Sequence, residues 1–166
     1  EGNHRLLNSS DLVSRQCATK GRLYDTGSGY PAMVSANNGK RVYGELYRVT
    51  PEILRRLDAL EGYYGEDRSN HYDRVSQTIY TDQGQVEAYV YVYPEDRVDG
   101  MEPVDCGDWK LYQFQKKAEP SIIYFAYGSC MDDGRFIDDG VDHLFQNVIG
   151  RGVADGYALR FTRKAS

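Results

Sequence analysis

The sequence predicts an α+β protein whose main element is a mostly antiparallel β-sheet. Stretches of strand composition alternate with turn signals through residues 21–93, and one helical stretch with a clear cap interrupts them. The chain also carries 15 tyrosines against 5 phenylalanines. Tyrosine suits half-buried sheet surfaces, because its ring packs while its hydroxyl group bonds outward. We therefore expect a β-rich fold with a polar interior pocket.

The predicted strands fall into two groups. Three short strands are expected at residues 21–25, 30–36 and 41–49, separated by the turn signals TGSG and NNG. A hairpin is expected at residues 72–80 and 85–93. The small apolar residues of its second strand fall on one face, which is typical of a closed or half-covered antiparallel sheet.

A short amphipathic helix is predicted between the two groups of strands. Thr50 is a suitable N-cap, Pro51 fits the first helical position, and Glu52 favours the positive end of the helix dipole. Gly62 should end the helix and hold the carboxylate of Glu61 just past that end. The buried face of the helix is marked by Ile53, Leu54, Leu57 and Leu60.

The second half of the chain has a weaker pattern. Residues 94–120 are rich in charge, Pro and Gly, with an aromatic run at 108–112, and predict a tail that packs back and then a linker. A new unit should open with a buried apolar strand at 122–127. A loop or short helix around 132–139 and a strand near 156–162 follow.

Composition argues against several classes of partner. The formal net charge of −5 comes with no basic stripe, which argues against a nucleic-acid partner. No apolar run approaches membrane length, so no membrane partner is expected. The three histidines are scattered and give no metal-ligand spacing. The three cysteines are odd in number and lack C-x-x-C spacing, which favours a reducing cytoplasm.

Two features could carry chemistry. The strand at 122–127 breaks at Gly128 and Ser129 into a turn whose free backbone N–H groups could hold an anion. Glu61 could serve as a general base. Spacing alone also allows an ordinary helix-end carboxylate in water and a plain strand-ending turn.

The same features carry a family resemblance. Residues 21–93 resemble the body of a γ-glutamylcyclotransferase-like (AIG2-like) domain in the motifs GRLYD, GYPAM, YGELYRV and LDALEGY. Residues 122–162 resemble the start of a second such domain, with YFAYGSCM at the family's YGS strand and turn. This order resembles bacterial proteins that carry two copies in tandem, here cut at both ends. The expected domains are a first one at 1–112 without its opening strand, a linker at 113–120, and the opening part of a second at 121–166.

The resemblance implies a fold, a reaction and a site. Family members fold as a small, mostly antiparallel β-barrel with a few surrounding helices. They cyclise a γ-glutamyl group to 5-oxoproline and release an amine or amino acid, without a cofactor or a metal. Glu61 matches the family's catalytic glutamate, and Tyr72 matches a tyrosine that could line the pocket. The substrate's α-carboxylate would be held by the turn of Tyr127, Gly128, Ser129, Cys130 and Met131.

Several alternatives stay open at this point. The chain could be a module that binds γ-glutamyl compounds or 5-oxoproline without turnover, or an interaction domain with an occluded pocket. Cys130 could be a nucleophile with His143 as its base, although a buried thiol is more often a packing residue. Asn3 and His4 could be a structural pair. The turn and Glu61 could share one composite pocket. The strand at 121–131 would then come from the same chain, or from a second copy by strand exchange in a homodimer. Alternatively, the turn and Glu61 could belong to separate domains.

Overall fold

The computed structural model describes residues 6–37, 39–117, 122–127, 133–144, 148–149, 152, 154 and 156–158. The chain divides into two compact units, Glu1–Lys117 and Ala118–Ser166. The sheet lies in the first unit. Its strands are β1 Asp11–Asp25, β2 Pro31–Ser35, β3 Lys40–Arg48, β4 Asp73–Thr81, β5 Gly84–Val92 and β6 Glu102–Pro103. Its helices are α1 Pro51–Glu61 and α2 Trp109–Lys116, and a 3₁₀ turn spans Glu95–Arg97.

The long strand β1 organises the sheet. It pairs antiparallel with β2, β3, β4 and β6, and β4 pairs antiparallel with β5, which gives the strand order β2-β1-β4-β5. The predicted α+β class with a mostly antiparallel sheet is confirmed. Among the described residues the strand ladders do not close into a ring, so the sheet is open rather than the closed β-barrel that the family resemblance implied. A backbone hydrogen bond of 2.7 Å from Tyr93 N to Met33 O joins the end of the β4–β5 hairpin to β2.

Strand β1 is much longer than the predicted strand at 21–25. Its additional residues, from Asp11 onward, pair with β3, and the register shifts twice in that ladder, between Leu12 and Ser14 and between Ser14 and Cys17. These irregularities break the period-two alternation by which a strand is recognised in a sequence. The first part of β1 therefore could not be recognised from the sequence pattern, and its pairing with β3 in the structure identifies it.

The core of the first unit forms between the sheet and α2. One cluster of buried residues consists of Leu23, Met33, Val42, Val92, Val104 and Tyr112, and a second of Ala32, Val34 and Val98. Tyr112 and the partly buried Trp109 belong to α2. The Asp108 side chain caps this helix by accepting a hydrogen bond of 3.0 Å from Leu111 N. The predicted tail that packs back is therefore a capped helix. The aromatic run at 108–112 did not indicate a helix.

The second unit departs from the prediction. Residues 122–127 form no strand and pair with none of the described residues in a ladder; Ile122 is 92% exposed. The predicted buried strand is wrong here, because an apolar run becomes a strand only when a neighbour takes up its backbone hydrogen bonds. A short helix α3, Asp133–Asp138, lies where a loop or short helix was expected, and a 3₁₀ turn follows at Asp142–Leu144. Residues 156–158 are not in a strand, and the rest of the predicted strand at 156–162 lies outside the described residues.

The helices in the described part of the chain are all too short or too polar to span a membrane. The domain boundaries at 112 and 120 and the cytoplasmic location stay predictions.

Candidate active site

An open cavity of about 580 Å³ lies in the first unit, where the end of α1 meets the sheet and α2. Aromatic side chains dominate its wall, and Glu61 is the only carboxylate among the described residues that line it. The lining residues are Leu23, Tyr30, Pro31, Met33, Val42, Tyr43, Leu60, Glu61, His71, Tyr72, Tyr91 and Trp109. The cavity is thus a mostly apolar space with one acidic group, as small-molecule sites often are.

Helix α1 places that acidic group. The predicted helix is confirmed: Thr50 Oγ1 accepts a hydrogen bond of 3.3 Å from Ile53 N, and Pro51 is the first helical residue. The predicted buried face is wrong, because Ile53, Leu54 and Leu57 are only partly buried and Leu60 is 41% exposed. Gly62 has left-handed dihedral angles, φ 63° and ψ 36°, and ends the helix. Glu61 is therefore the last helical residue rather than a residue just past the end.

The backbone around Glu61 is tied to the residues that lead into β4. Tyr72 N donates to Glu61 O at 3.2 Å, and His71 N donates to Gly62 O at 3.0 Å. A Cβ atom on Gly62 would lie 2.9 Å from His71 Cβ, closer than real Cβ atoms approach. Glycine is therefore required at this position both by its positive φ and by the contact.

The Glu61 side chain is half-buried in the cavity wall. Among the residues that the structure describes, its carboxylate makes no hydrogen bond and no ion pair. Burial raises the pKa of Glu61 above its ordinary value of 4.5. A carboxylate that is costly to ionise and has no competing partner among the described residues is suited to accept and return a proton.

Tyr72 lies in the cavity wall beside Glu61. It is buried, with 8% of its surface exposed, and its hydroxyl group donates to Pro31 O at 3.0 Å. Burial first, and then the nearby charge of Glu61, raise the pKa of Tyr72, so the phenol stays protonated. Its ring packs edge-on against His71 at 5.0 Å and against Tyr93 at 5.2 Å. Tyr72 therefore lines the pocket and also packs in it, and the structure brings it together with Glu61.

A second polar group at the end of α1 was missed by sequence reasoning. Arg74 donates to both carboxylate oxygens of Asp58, at 2.8 and 2.6 Å, and Tyr91 Oη donates to Asp58 Oδ1 at 2.7 Å. Burial and this hydrogen bond raise the pKa of Tyr91. The signal for Asp58 was its place one helical turn before Glu61, in the motif LDALEGY. Nothing in the sequence indicated its partners, which are 16 and 33 residues away.

The predicted anion-binding turn is not placed by the structure. Gly128, Ser129, Cys130 and Met131 lie outside the described residues, as do Asn3 and His4. Tyr127 is described in the second unit, 67% exposed, with its ring stacked 6.4 Å from that of Phe125. The composite pocket and the strand exchange or homodimer through 121–131 stay predictions. Among the described residues, no group of three His, Cys, Asp or Glu side chains could hold a metal ion.

The fold and the cavity together define a class of protein. The first unit has a mostly antiparallel sheet, a helix whose last residue is Glu61, and a cavity beside that glutamate. Residues 1–111 match the family described as γ-glutamyl cyclotransferase, AIG2-like. The chain belongs to that family.

Curated relatives support the assignment. YkqA of Bacillus subtilis (strain 168) is 37% identical over 167 residues, which cover 99% of this chain and 56% of YkqA. The γ-L-glutamyl-butirosin B γ-glutamyl cyclotransferase of Niallia circulans is 38% identical over 116 residues, which cover 69% of this chain and 71% of that protein. The chain therefore spans little more than half the length of YkqA.

A solved structure shares the fold. The crystal structure of YkqA from Bacillus subtilis matches with a TM-score of 0.60 and 34% identity, over 88% of this chain and 48% of the YkqA chain. The similarity thus extends across the two units of this chain in sequence and over most of it in structure.

Proposed function

We propose that this chain is a γ-glutamyl cyclotransferase that converts a small γ-glutamyl compound into 5-oxoproline and a free amine or amino acid. The observation that carries the proposal is Glu61: a half-buried carboxylate with a raised pKa, at the end of a capped helix, in the wall of a cavity of about 580 Å³. Family membership supports the same reaction.

In the proposed reaction Glu61 moves a proton within the substrate. The α-amine of the glutamyl group loses a proton to the Glu61 carboxylate and attacks its own γ-carbonyl carbon. The new bond between nitrogen and carbon closes the five-membered ring, and the bond from that carbon to the leaving nitrogen breaks. Glu61 returns the proton to the leaving nitrogen, so no water, oxidant or cofactor is consumed. General acid–base catalysis of this kind typically contributes about 100- to 10,000-fold in rate.

The cavity supports this reaction in two further ways. The reaction is intramolecular, so walls that keep the glutamyl arm folded supply part of the acceleration. Tyr72 keeps its proton and presents a packed aromatic wall next to Glu61. Binding of the α-carboxylate by backbone N–H groups of the turn at Tyr127, Gly128, Ser129, Cys130 and Met131 stays an expectation from the sequence.

The test is the release of 5-oxoproline from a panel of γ-glutamyl amino acids, peptides and amines. The wild-type chain is compared with Glu61→Gln, which removes the base and keeps the shape of the side chain. Glu52→Gln is the matched control, because Glu52 lies on the same helix, is exposed, and pairs with Arg56 at the helix surface.

We expect release by the wild type and by Glu52→Gln, with a loss of at least about 100-fold in Glu61→Gln. Release that survives in Glu61→Gln would refute the role of Glu61. Binding of γ-glutamyl compounds without release by any of the three proteins would contradict the activity and identify a binding module instead.

A further inference from the structure

The carboxylate of Asp58 joins the last turn of α1 to the β4–β5 hairpin. Both of its oxygens accept hydrogen bonds from Arg74 of β4, and one also accepts from Tyr91 of β5. The side chains of Asp58 and Arg74 are 18% and 21% exposed. Nη1 of Arg74 donates to both oxygens and Tyr91 Oη donates to one of them, so three contacts at this depth restrain the carboxylate more than an exposed ion pair would and set the distance between helix and hairpin.

Further contacts fix both Arg74 and Asp58 in place. The Arg74 guanidinium is in cation–π contact with two rings, 4.9 Å from the centre of Tyr63 and 4.8 Å from that of Tyr89. The amide of Tyr63 donates to Asp58 O at 2.8 Å across the helix end. Asp58 is thus fixed through its backbone to the residues after Gly62 and through its side chain to the sheet.

Glu61 depends on that connection for its place in the cavity. It follows Asp58 by three residues, which is about one helical turn. Its own carboxylate has no hydrogen-bond or ion-pair partner among the described residues. Its position is therefore set by the end of the helix that carries it. Tyr91, which bonds Asp58, also lines the cavity.

We propose that Asp58 is a positioning residue for Glu61, and that the Asp58–Arg74–Tyr91 group holds the glutamate where it reaches the substrate's amine. The inference rests on the function proposed for Glu61. A displacement of a catalytic group by about 1 Å can lower a rate by roughly 100-fold. The group therefore acts on the rate of turnover more than on the binding of substrate.

Two variants that conserve charge test the proposal. Arg74→Lys replaces the planar guanidinium, which also contacts two tyrosine rings, with a point charge, and Asp58→Glu moves the carboxylate by one methylene group. Neither leaves a half-buried charge without a partner, whereas Asp58→Asn would leave Arg74 unpaired and is expected to fold poorly. Glu52→Gln again serves as the control, since it removes an exposed ion pair from the same helix.

Thermal denaturation first shows which variants are folded. In the folded variants we expect kcat to fall while KM stays nearly unchanged. Arg74→Lys and Asp58→Glu should lower kcat by about 10- to 100-fold with KM changed less than about threefold, and Glu52→Gln should match the wild type. A folded Arg74→Lys variant with wild-type kcat would overturn the proposal.

A second measurement does not depend on turnover. The carboxyl carbon of Glu61, assigned by its disappearance in Glu61→Gln, is titrated by ¹³C NMR in the wild type and in Arg74→Lys. The other titratable groups in the cavity wall are the same in both proteins; they are Tyr30, Tyr43, His71, Tyr72 and Tyr91. Arg74→Lys should shift the Glu61 pKa toward 4.5, because a loosened helix end admits water to the carboxylate.

An unchanged pKa of Glu61 in Arg74→Lys would overturn the positioning role. If the wild-type chain releases no 5-oxoproline, the proposed function fails, and this titration alone decides whether Asp58 and Arg74 position Glu61.

Discussion

Replacing Gly62 with alanine should destabilise the first unit by more than any ordinary surface change. Gly62 has φ 63°, and a Cβ atom there would lie 2.9 Å from His71 Cβ. The left-handed conformation costs a residue with a side chain about 1–2 kcal/mol, and overpacking typically costs about 1–3 kcal/mol. The two effects together predict a loss of about 2–5 kcal/mol in the free energy of unfolding.

Two other glycines separate these contributions. Gly27 has φ 72° and no atom within 4 Å of an added Cβ, so Gly27→Ala should show only the conformational cost of about 1–2 kcal/mol. Gly44 lies in β3 without a positive φ and also has open space around an added Cβ. Gly44→Ala should be neutral or stabilising by up to about 1 kcal/mol, because alanine restricts the unfolded chain.

Urea unfolding of the three variants measures the differences directly, provided that the dependence of free energy on urea stays the same. The order of loss should be Gly62→Ala, then Gly27→Ala, then Gly44→Ala. A Gly62→Ala variant that is no less stable than Gly27→Ala would refute the claim that Gly62 is packed against His71. The same variant should also lose activity, since the change displaces the residue next to Glu61.

Three further substitutions have expected outcomes that denaturation can check. Thr50→Ala removes the hydrogen bond to Ile53 N that caps α1 and should cost about 0.5–2 kcal/mol in urea unfolding. Hydrogen bonds from the Gly27 amide and then Lys116 lower the pKa of Asp25 from 3.8 to about 2, so its contribution is present above pH 3.8 and is lost as the pH falls through 2. Asp25→Asn should therefore be less stable than the wild type at pH 7, and the gap should close toward pH 2. For Glu61 the sign is opposite: burial raises its pKa above 4.5, so Glu61→Gln should match the wild type below pH 4.5 and be more stable than it at pH 7.

The local parts of the fold were predictable from the sequence. The cap at Thr50 and the glycine at 62 are encoded within a dozen neighbouring residues, and each is present in the structure. The β4–β5 hairpin likewise follows from alternation on either side of a short turn, and its register runs without a shift from Asp73 to Thr81. Features of this kind depend on contacts between residues close in the chain.

The remaining parts depend on contacts between distant residues. The first half of β1 exists because β3 pairs with it through two register shifts. Helix α2 is only 8 residues long and is stabilised by packing Tyr112 and Trp109 against the sheet. The apolar run at 122–127 shows the reverse case, in which strand composition without a partner gives no strand.

Some residues of the candidate site were predictable from local sequence, and others were not. Glu61 was predictable because a glutamate before a helix-ending glycine is a local pattern that the family shares. Tyr72 was predictable from its place after that helix. Asp58, Arg74 and Tyr91 were not, since an ion pair is specified by the three-dimensional approach of two elements and not by spacing along one of them.

The dependence of kcat/KM on pH tests most directly whether Glu61 is the base of a γ-glutamyl cyclotransferase. For a γ-glutamyl substrate that the chain turns over, kcat/KM should rise along an acidic limb with an apparent pKa above 4.5 that agrees with the NMR titration of Glu61. The activity carried by that limb should be lost in Glu61→Gln. A limb at or below 4.5, or one that persists in Glu61→Gln, would contradict the account.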